Sequence, residues 1–205
     1  MRLEIASHKA IRYSCLNYHY SKTVPAIFYG YSVFNNLNEW CGCIIFNRGA
    51  VSSAKQYGFK NGEVAELIRM ALNGKQESTS KCLSISIKMF HKDNPLVKLL
   101  VSFADEEQNH KGIIYQATNW VYIDSYNTGN IYINKLTGKK VHPRRITKTG
   151  YVKGFNNKID KCLTYDDVIM LKSKEKHKYI YPLCEETKQL CKKLSKPYPK
   201  KEIIT

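Results

Sequence analysis

A chain of 205 residues, 43% of them apolar, has the length of one domain, or of one domain with an appendage, and can bury a proper core. Thirty-three Lys and Arg against seventeen Asp and Glu leave a formal +16, an excess that points to a polyanionic partner, nucleic acid ahead of an anionic membrane surface. The opening "MRLEIASHKAIRYS" lacks the apolar stretch of a secretory signal, and runs such as "CIIF" at 43–46 are too short to span a bilayer. Seven cysteines without CxxC spacing read as reduced thiols of a cytoplasmic protein.

Residues 1–12 mix apolar and polar positions as a first strand does. In the Tyr-rich "RYSCLNYHYSKTVPAIF", Pro25 interrupts any helix, so His19 and Tyr20 are expected on a loop or a frayed helix end. "NEWCGCIIFNRGA" reads as a strand closed by a turn at Gly49. Cys41 and Cys43, two apart, are expected on one face of it, which is poor geometry for zinc. "GEVAELIRMAL" fits a helix or a strand: Val64, Leu67, Ile68 and Leu72 have roughly helical spacing, but the run is short and bounded by "NG" at 61–62 and 73–74. Glu66 and Arg69, charges in this apolar segment, are either mutual partners or substrate contacts.

"STSKCLSISIKMFHKD" is the clearest helix, with Leu83, Ile87 and Phe90 on one stripe, Ser78, Thr79 and Ser80 as candidate N-caps, and Asn94-Pro95 as its stop. Just before it, "NGKQESTSKC" offers Gly74, Lys75, Lys81 and three hydroxyls where free N–H groups can hold a phosphate; simple capping is the alternative. "LVKLLVSFAD" is nearly continuous in Leu and Val, as in a strand covered on both faces. "HKGIIYQATN" then forms a short helix, and "WVYIDSYNTGNIYIN" a two-stranded hairpin around Asn127–Asn130. This alternation predicts an α/β (α+β) fold, a mixed sheet with helices on its faces, in which ligands collect beyond the carboxyl ends of strands.

From about residue 137 the character changes. Nine Lys and Arg fall between Lys135 and Lys161, with no acid before Asp160. The chain therefore divides into a core over 1–137 and a basic, partly helical extension over 138–205. Thr164 and Asp167 form a capping box for "YDDVIMLKSKE", and "CEETKQLCKKL" is a last helix.

"FAD" delivers the Asp105 carboxylate where strand pairing stops, as a general base, an orienter of another group, or an N-cap. A Tyr115 hydroxyl aimed into a cleft can protonate a leaving group. Asn119 and Trp120 fall at a helix-to-strand junction, where a flat indole can stack on a base or belong to the core. His19, Asp105 and His110 together have the composition of a two-His, one-carboxylate metal site.

Taken together, "HYS" with a following proline, "ELIRMAL", "SFADEEQNHKGIIYQATNWVYI", "KHKYIYPL" and "PYPKK" resemble the Mom-type DNA modification proteins of bacteriophages, from about residue 15 to the end. The resemblance implies a GNAT-like fold. It also implies conversion of adenine N6 in duplex DNA to a carbamoylmethyl (methylcarbamoyl) adenine, which shields phage DNA from host restriction inside the infected or lysogenic cell. Carried over by position, the catalytic residues are His19, Tyr20, Arg69, Asp105 and Tyr115. Asp105 or His19 would act as base, Tyr115 as acid and Arg69 as stabiliser of negative charge, with Tyr20 and Trp120 sandwiching a flipped adenine.

On the same reading, Lys75, Ser78, Thr79, Ser80 and Lys81 hold the group donor. Asn119 lies near the base, and Lys139, Lys140, Arg144, Arg145, Lys148 and Lys153 grip phosphates. GNAT enzymes usually carry Q/R-x-x-G-x-G/A where this chain reads "NGKQESTS". The expected donor is acyl-CoA or another acyl- or glycyl-type compound. Simple acetyl transfer makes an N–C(=O) bond, not N–CH2, so a metal-assisted rearrangement with Fe(II) on His19, Asp105 and His110 is a further expectation. Two rival readings are an acyl-CoA-dependent N-acyltransferase acting on a protein or small amine, and a non-catalytic DNA-binding protein.

Overall fold

A computed structural model describes residues 1–25, 29–47, 51–127, 129–153 and 158–199. Its main sheet has seven strands in the order β1 (Arg2–Ile5), β2 (Tyr29–Phe34), β3 (Trp40–Asn47), β4 (Val64–Leu72), β5 (Leu99–Asp105), β12 (Glu175–Pro182) and β6 (Val121–Asn127). Only β4 and β5 pair in parallel; every other neighbour is antiparallel, so the sheet is mixed, as expected.

Helices α3 (Thr79–Asp93) and α4 (Ile113–Gln116) cover one face, burying Leu83, Ile87, Phe90 and Tyr115 against Ile44, Phe46, Leu100 and Tyr179. Helices α1 (His8–Tyr18), α2 (Val51–Gln56) and α5 (Glu185–Leu194) cover the other face. The α3 stripe forms because apolar side chains recur at helical spacing behind Ser78, whose hydroxyl accepts from the Lys81 N–H at 3.2 Å. Each fully buried side chain of this kind contributes about 1.5–3 kcal/mol. β5 reads as a nearly continuous apolar run because its two faces feed different clusters, Leu100 toward α3 and Leu99 and Val101 toward α5.

Irregularities in β3 and β4 explain where sequence periodicity misleads. Val33 pairs with Gly42 and Phe34 with Trp40, leaving Cys41 as an extra residue, and Gly42 has φ +118°. Cys41 and Cys43 therefore do not share a face: Cys41 packs with the α3-side cluster and Cys43 with the α1-side cluster. All seven cysteines are free thiols. In β4, Ile45 pairs with Arg69 but Phe46 with Leu67, so Ile68 is bulged. That one-residue phase shift produces the helical-looking spacing of a segment that is a strand.

Four further expectations differ from the fold. Two strands do flank residues 128–129, but they are not a hairpin: β6 pairs with β12, while β7 (Asn130–Asn134) pairs with β11 (Val168–Lys172) and β8 (Lys140–Val141). The antiparallel pair β6–β12 thus gives way to a second antiparallel pair, β7–β11, at the 172–175 junction. There Ser173 N–H donates to Gly129 O at 3.1 Å and Asn127 Nδ2 to Ser173 O at 2.6 Å. A division at residue 137 does not match a break in the sheet, because β12 lies between β5 and β6 and buries Tyr179 and Ile180.

The Thr164–Asp167 box exists, yet it caps a single 3-10 turn that leads into strand β11 rather than a longer helix. Pro25 does not prevent a helix in the Tyr-rich stretch, since α1 ends seven residues earlier. The turn expected at Gly49 lies outside the described residues. Two short strands, β9 (Tyr151–Lys153) and β10 (Ile159–Lys161), pair within the 129–174 insertion. No helix among the described residues is long and apolar enough to cross a membrane.

Candidate active site

The parallel β4–β5 ladder has only three residue pairs and ends at Glu66–Val101. Beyond it the Leu67 carbonyl is met by a side chain: Ser102 Oγ lies 2.7 Å from Leu67 O and 2.7 Å from Tyr115 Oη. Past this point a hollow of about 320 Å³ opens between the strands. Tyr18, His19 and Tyr20 at the end of α1, Ile68, Arg69 and Met70 of β4, Phe103 and Asp105 of β5, His110 and Tyr115 line it. Five side chains singled out as catalytic, from four separate segments, thus border one cavity.

His19 caps α1 and is 8% exposed; it sits at the expected helix end but is buried there. Its Nδ1 accepts from the Ser21 N–H at 3.2 Å and lies 2.8 Å from Ser21 Oγ, which leaves the proton of the neutral ring on Nε2. Burial, with Arg69, His110 and Lys22 nearby, lowers its pKa from 6.5 to about 4. His19 is therefore a neutral hydrogen-bond donor and a weak base. The Tyr20 ring packs at 4.2 Å from His19 and 6.0 Å from His110, half exposed at the mouth.

Asp105 takes the N-cap place, one of the three uses expected of it. Its Oδ1 accepts from the Glu107 N–H at 3.1 Å as an N-cap, and its Oδ2 faces Lys176 Nζ at 3.6 Å. Arg69 donates through one Nη to the Ile68 carbonyl at 3.0 Å, while its Nε is buried without a partner among the described residues. Such a donor is available to an anion. Glu66 and Arg69 form no ion pair at contact distance among the described residues. Burial raises the Glu66 pKa, and Arg69, Lys176 and Lys178 only partly offset this. Tyr115 is buried, and desolvation pushes its pKa up to about 12, so the phenol stays protonated at neutral pH.

On the α3 side lies a second cleft of about 410 Å³ that shares Met70, Phe103, His110 and Tyr115 with the hollow. Gly74, Gln76 and Thr79 close it at the start of α3. Gln76 Nε2 donates to Thr79 Oγ1 at 2.8 Å, and Gln76 Oε1 is buried with no partner among the described residues. Of the expected donor-binding residues, Thr79 lines this cleft. Ser78 is instead the N-cap and lies 3.1 Å from Ser80 Oγ, while Lys75 and Lys81 do not border it. Gln76 was passed over because an amide beside three hydroxyls carries no distinguishing pattern. Ser102 had a weak signal, as the lone hydroxyl of an otherwise apolar strand.

Two expectations are corrected here. Trp120 is fully buried, packed at 5.2 Å from Tyr115 and 5.5 Å from Tyr181, so it is a core residue and no plate for a base. An aromatic at a helix–strand junction points to the core whenever the sheet continues beneath it. Asn119 beside it is exposed, in left-handed conformation at φ +60°. His19, Asp105 and His110 border one hollow but form no metal-ligating group of three among the described residues. His19 Nδ1 is taken by Ser21 and Asp105 by Glu107 and Lys176, so these side chains do not fit an iron site.

The basic residues have a common address. β5 ends at Asp105 opposite Lys176, and the 129–174 insertion leaves β6 and re-enters β12 at that same end of the sheet. Lys174 N–H donates to Glu107 Oε1 at 2.7 Å, tying the insertion to the turn after Asp105. It holds eleven Lys and Arg against three Asp, a net +8 of the chain's +16. Lys139, Lys140, Arg144, Arg145, Lys148 and Lys153 are all exposed on it.

Fold and cavity define a mixed α/β protein with clefts on both faces of its sheet, meeting where two parallel strands stop pairing. A model of the Mom protein family matches residues 1–200, and the chain belongs to that family. Among solved structures it is similar to a candidate phosphinothricin N-acetyltransferase, at 10% identity over 90% of this chain and 99% of that one, TM-score 0.49. It is also similar to a Bacillus subtilis acetyltransferase in complex with CoA, at 8% identity over 89% and 99%, TM-score 0.46. A third is a GNAT family acetyltransferase from Elizabethkingia anophelis with acetyl-CoA bound, at 14% identity over 76% of each chain, TM-score 0.40. No curated protein matches the chain.

Proposed function

We propose that the protein is a DNA-modifying transferase that attaches a carbamoylmethyl group to adenine N6 in duplex DNA. The observation that carries this reading is the convergence of His19, Tyr20, Arg69, Asp105 and Tyr115 on one hollow, in a chain of the Mom family. The basic insertion at the same end of the sheet supports a duplex partner.

Adenine N6 is a poor nucleophile because its lone pair is delocalised into the ring, so the base must leave the stack and lose a proton as the new bond forms. Asp105 takes that proton; His19, held neutral, donates from Nε2 instead of acting as base. As the N6–C bond forms, the bond between that carbon and its leaving group breaks. Tyr115 protonates the departing group; after release the proton taken up by Asp105 passes to solvent and the phenolate regains one from solvent. Arg69 offers its unpartnered N–H to the negative charge that develops. Tyr20 supplies a stacking face at the mouth.

The α3-side cleft is the donor site, with Gln76, Thr79 and the first N–H groups of α3 as its polar contacts. Acyl-CoA is one donor class that it could take. An N–CH2 product, however, requires a donor with a reactive saturated carbon, such as an activated glycyl-type compound. Nucleosides from DNA of cells expressing the chain, analysed by mass spectrometry, test the reading. A mass-shifted deoxyadenosine is expected. Unmodified DNA alongside abundant folded protein, or acylation of proteins instead, would overturn it.

A further inference from the structure

A groove of about 840 Å³ lies on the α5 face, between the C-terminal ends of α2 and α5. It shares Phe103 with the catalytic hollow and opens at the same end of the sheet, yet nothing in the proposed reaction uses it. Its floor carries Lys178, which sits opposite Phe103 on β12 and is only 7% exposed. A buried ammonium normally has a carboxylate partner. Lys178 Nζ has none at ion-pair distance among the described residues; it donates to the neutral Gln56 Oε1 at 2.7 Å.

Asp124 and Glu66 attract Lys178 only from farther away, and Asp124 is held by Lys196 at 2.8 Å. The walls are flat. Tyr57 and Phe103 stand 5.0 and 5.9 Å from the ammonium, and Tyr126 meets Phe103 edge-on at 5.9 Å. Tyr57 Oη is itself buried with no partner among the described residues. Lys193 and Lys196 border the same groove. A buried cation with no carboxylate at contact distance, an orphaned hydroxyl and ring faces together match an anion joined to a planar ring.

We infer that this groove binds the nucleotide next to the target adenosine, with its phosphate on Lys178 and Tyr57 and its base against the Phe103 and Tyr126 rings. The inference rests on the DNA-modifying reading and extends it: two adjacent nucleotides leave the stack, one into each cavity, on either side of Phe103. Base–aromatic stacking of this kind tolerates any base but favours purines, so the groove also sets a mild sequence preference beside the modified adenine.

Single neutral methylphosphonate linkages, moved one position at a time along a duplex, test this by equilibrium binding to the full chain and its Lys178→Met variant. For one linkage within a nucleotide of the modified adenine, neutralisation should weaken wild-type binding about tenfold and leave Lys178→Met unaffected. An abasic site at that neighbour should likewise weaken the wild type about tenfold and Tyr126→Ala much less. Equal losses in wild type and variants at every position would overturn the groove while leaving adenine modification intact. A chain that does not bind duplex DNA would overturn both. Melting temperatures check folding; Lys178→Met removes a buried charge and should not lower it, and Tyr57→Phe provides a second, nearly isosteric probe of the phosphate contact.

Discussion

Tyr115 Oη lies 2.7 Å from Ser102 Oγ, and Ser102 Oγ lies 2.7 Å from Leu67 O, so one serine bridges the phenol to the first carbonyl beyond the end of β4–β5 pairing. A carbonyl only accepts. When Ser102 donates its single hydrogen to Leu67 O, the phenol must donate to Ser102. This ordering holds Tyr115 in one rotamer with its oxygen at the boundary of the hollow and the α3-side cleft, where the phenol O–H turns from Ser102 to the departing group.

Tyr115→Phe should therefore cost about 10²–10⁴-fold in turnover, the range of a lost general acid. Its cost to stability should be only about 1 kcal/mol, since Ser102 keeps its bond to Leu67 O. Ser102→Ala should slow turnover about tenfold by freeing the phenol, with little change in donor affinity. Steady-state kinetics beside urea denaturation separate these outcomes.

Asp105→Asn discriminates between a base and a cap. Asparagine still accepts the Glu107 N–H, so the turn after β5 should survive with a melting temperature close to that of the wild type. The carboxylate is lost, and modification should fall at least 10²-fold. Nucleoside analysis and thermal denaturation on the same preparation provide the comparison.

His19 provides a pH signature. Its folded pKa of about 4 lies below the ordinary 6.5, so the unfolded chain binds the extra proton between those values. The stability contributed by the neutral ring is complete above pH 6.5 and declines as pH falls from there toward 4. Melting temperature should drop between pH 7 and pH 5 in the wild type and drop less in His19→Gln.

Gly112, at φ +75°, has the most demanding position in the site's frame. A Cβ there would lie 2.3 Å from Tyr179 Cε2. Gly112→Ala must displace a fully buried ring that donates to Lys111 O at 2.6 Å. A loss of about 3 kcal/mol is expected in chemical denaturation.

DNA affinity should carry the mark of the insertion. Replacing both Arg144 and Arg145 by Gln should flatten the slope of log affinity against log salt by about 2 units, with the same effect on any sequence. A titration over several salt concentrations measures it.

Regular elements were legible in the sequence and distortions were not. Helix α3 and strand β5 follow from the Leu83–Ile87–Phe90 stripe and the "LVKLLVSFAD" run because nothing interrupts their periods. β4 stayed ambiguous, and Cys41 and Cys43 were placed on one face, because bulges at Ile68 and Cys41 shift the phase by one residue without a distinctive side chain. Trp120 misled for another reason. A ring before a strand looks alike whether it faces solvent or core, and only the return of β12 beside β6 buries it. β12 itself was hidden: Lys178 occupies an inward position where an apolar residue would have marked a strand. The catalytic candidates were nameable one by one, but their meeting depends on where two strands stop pairing, which no local pattern encodes.

The proposed reaction places a flipped adenine in the hollow between β4 and β5. A crystal structure of the protein with duplex DNA containing the target adenine measures this directly. It should show that base outside the helix against Tyr20, with N6 within about 3 Å of the Asp105 carboxylate. An adenine still stacked in its duplex, or extruded onto a surface remote from Asp105 and Tyr115, would contradict it.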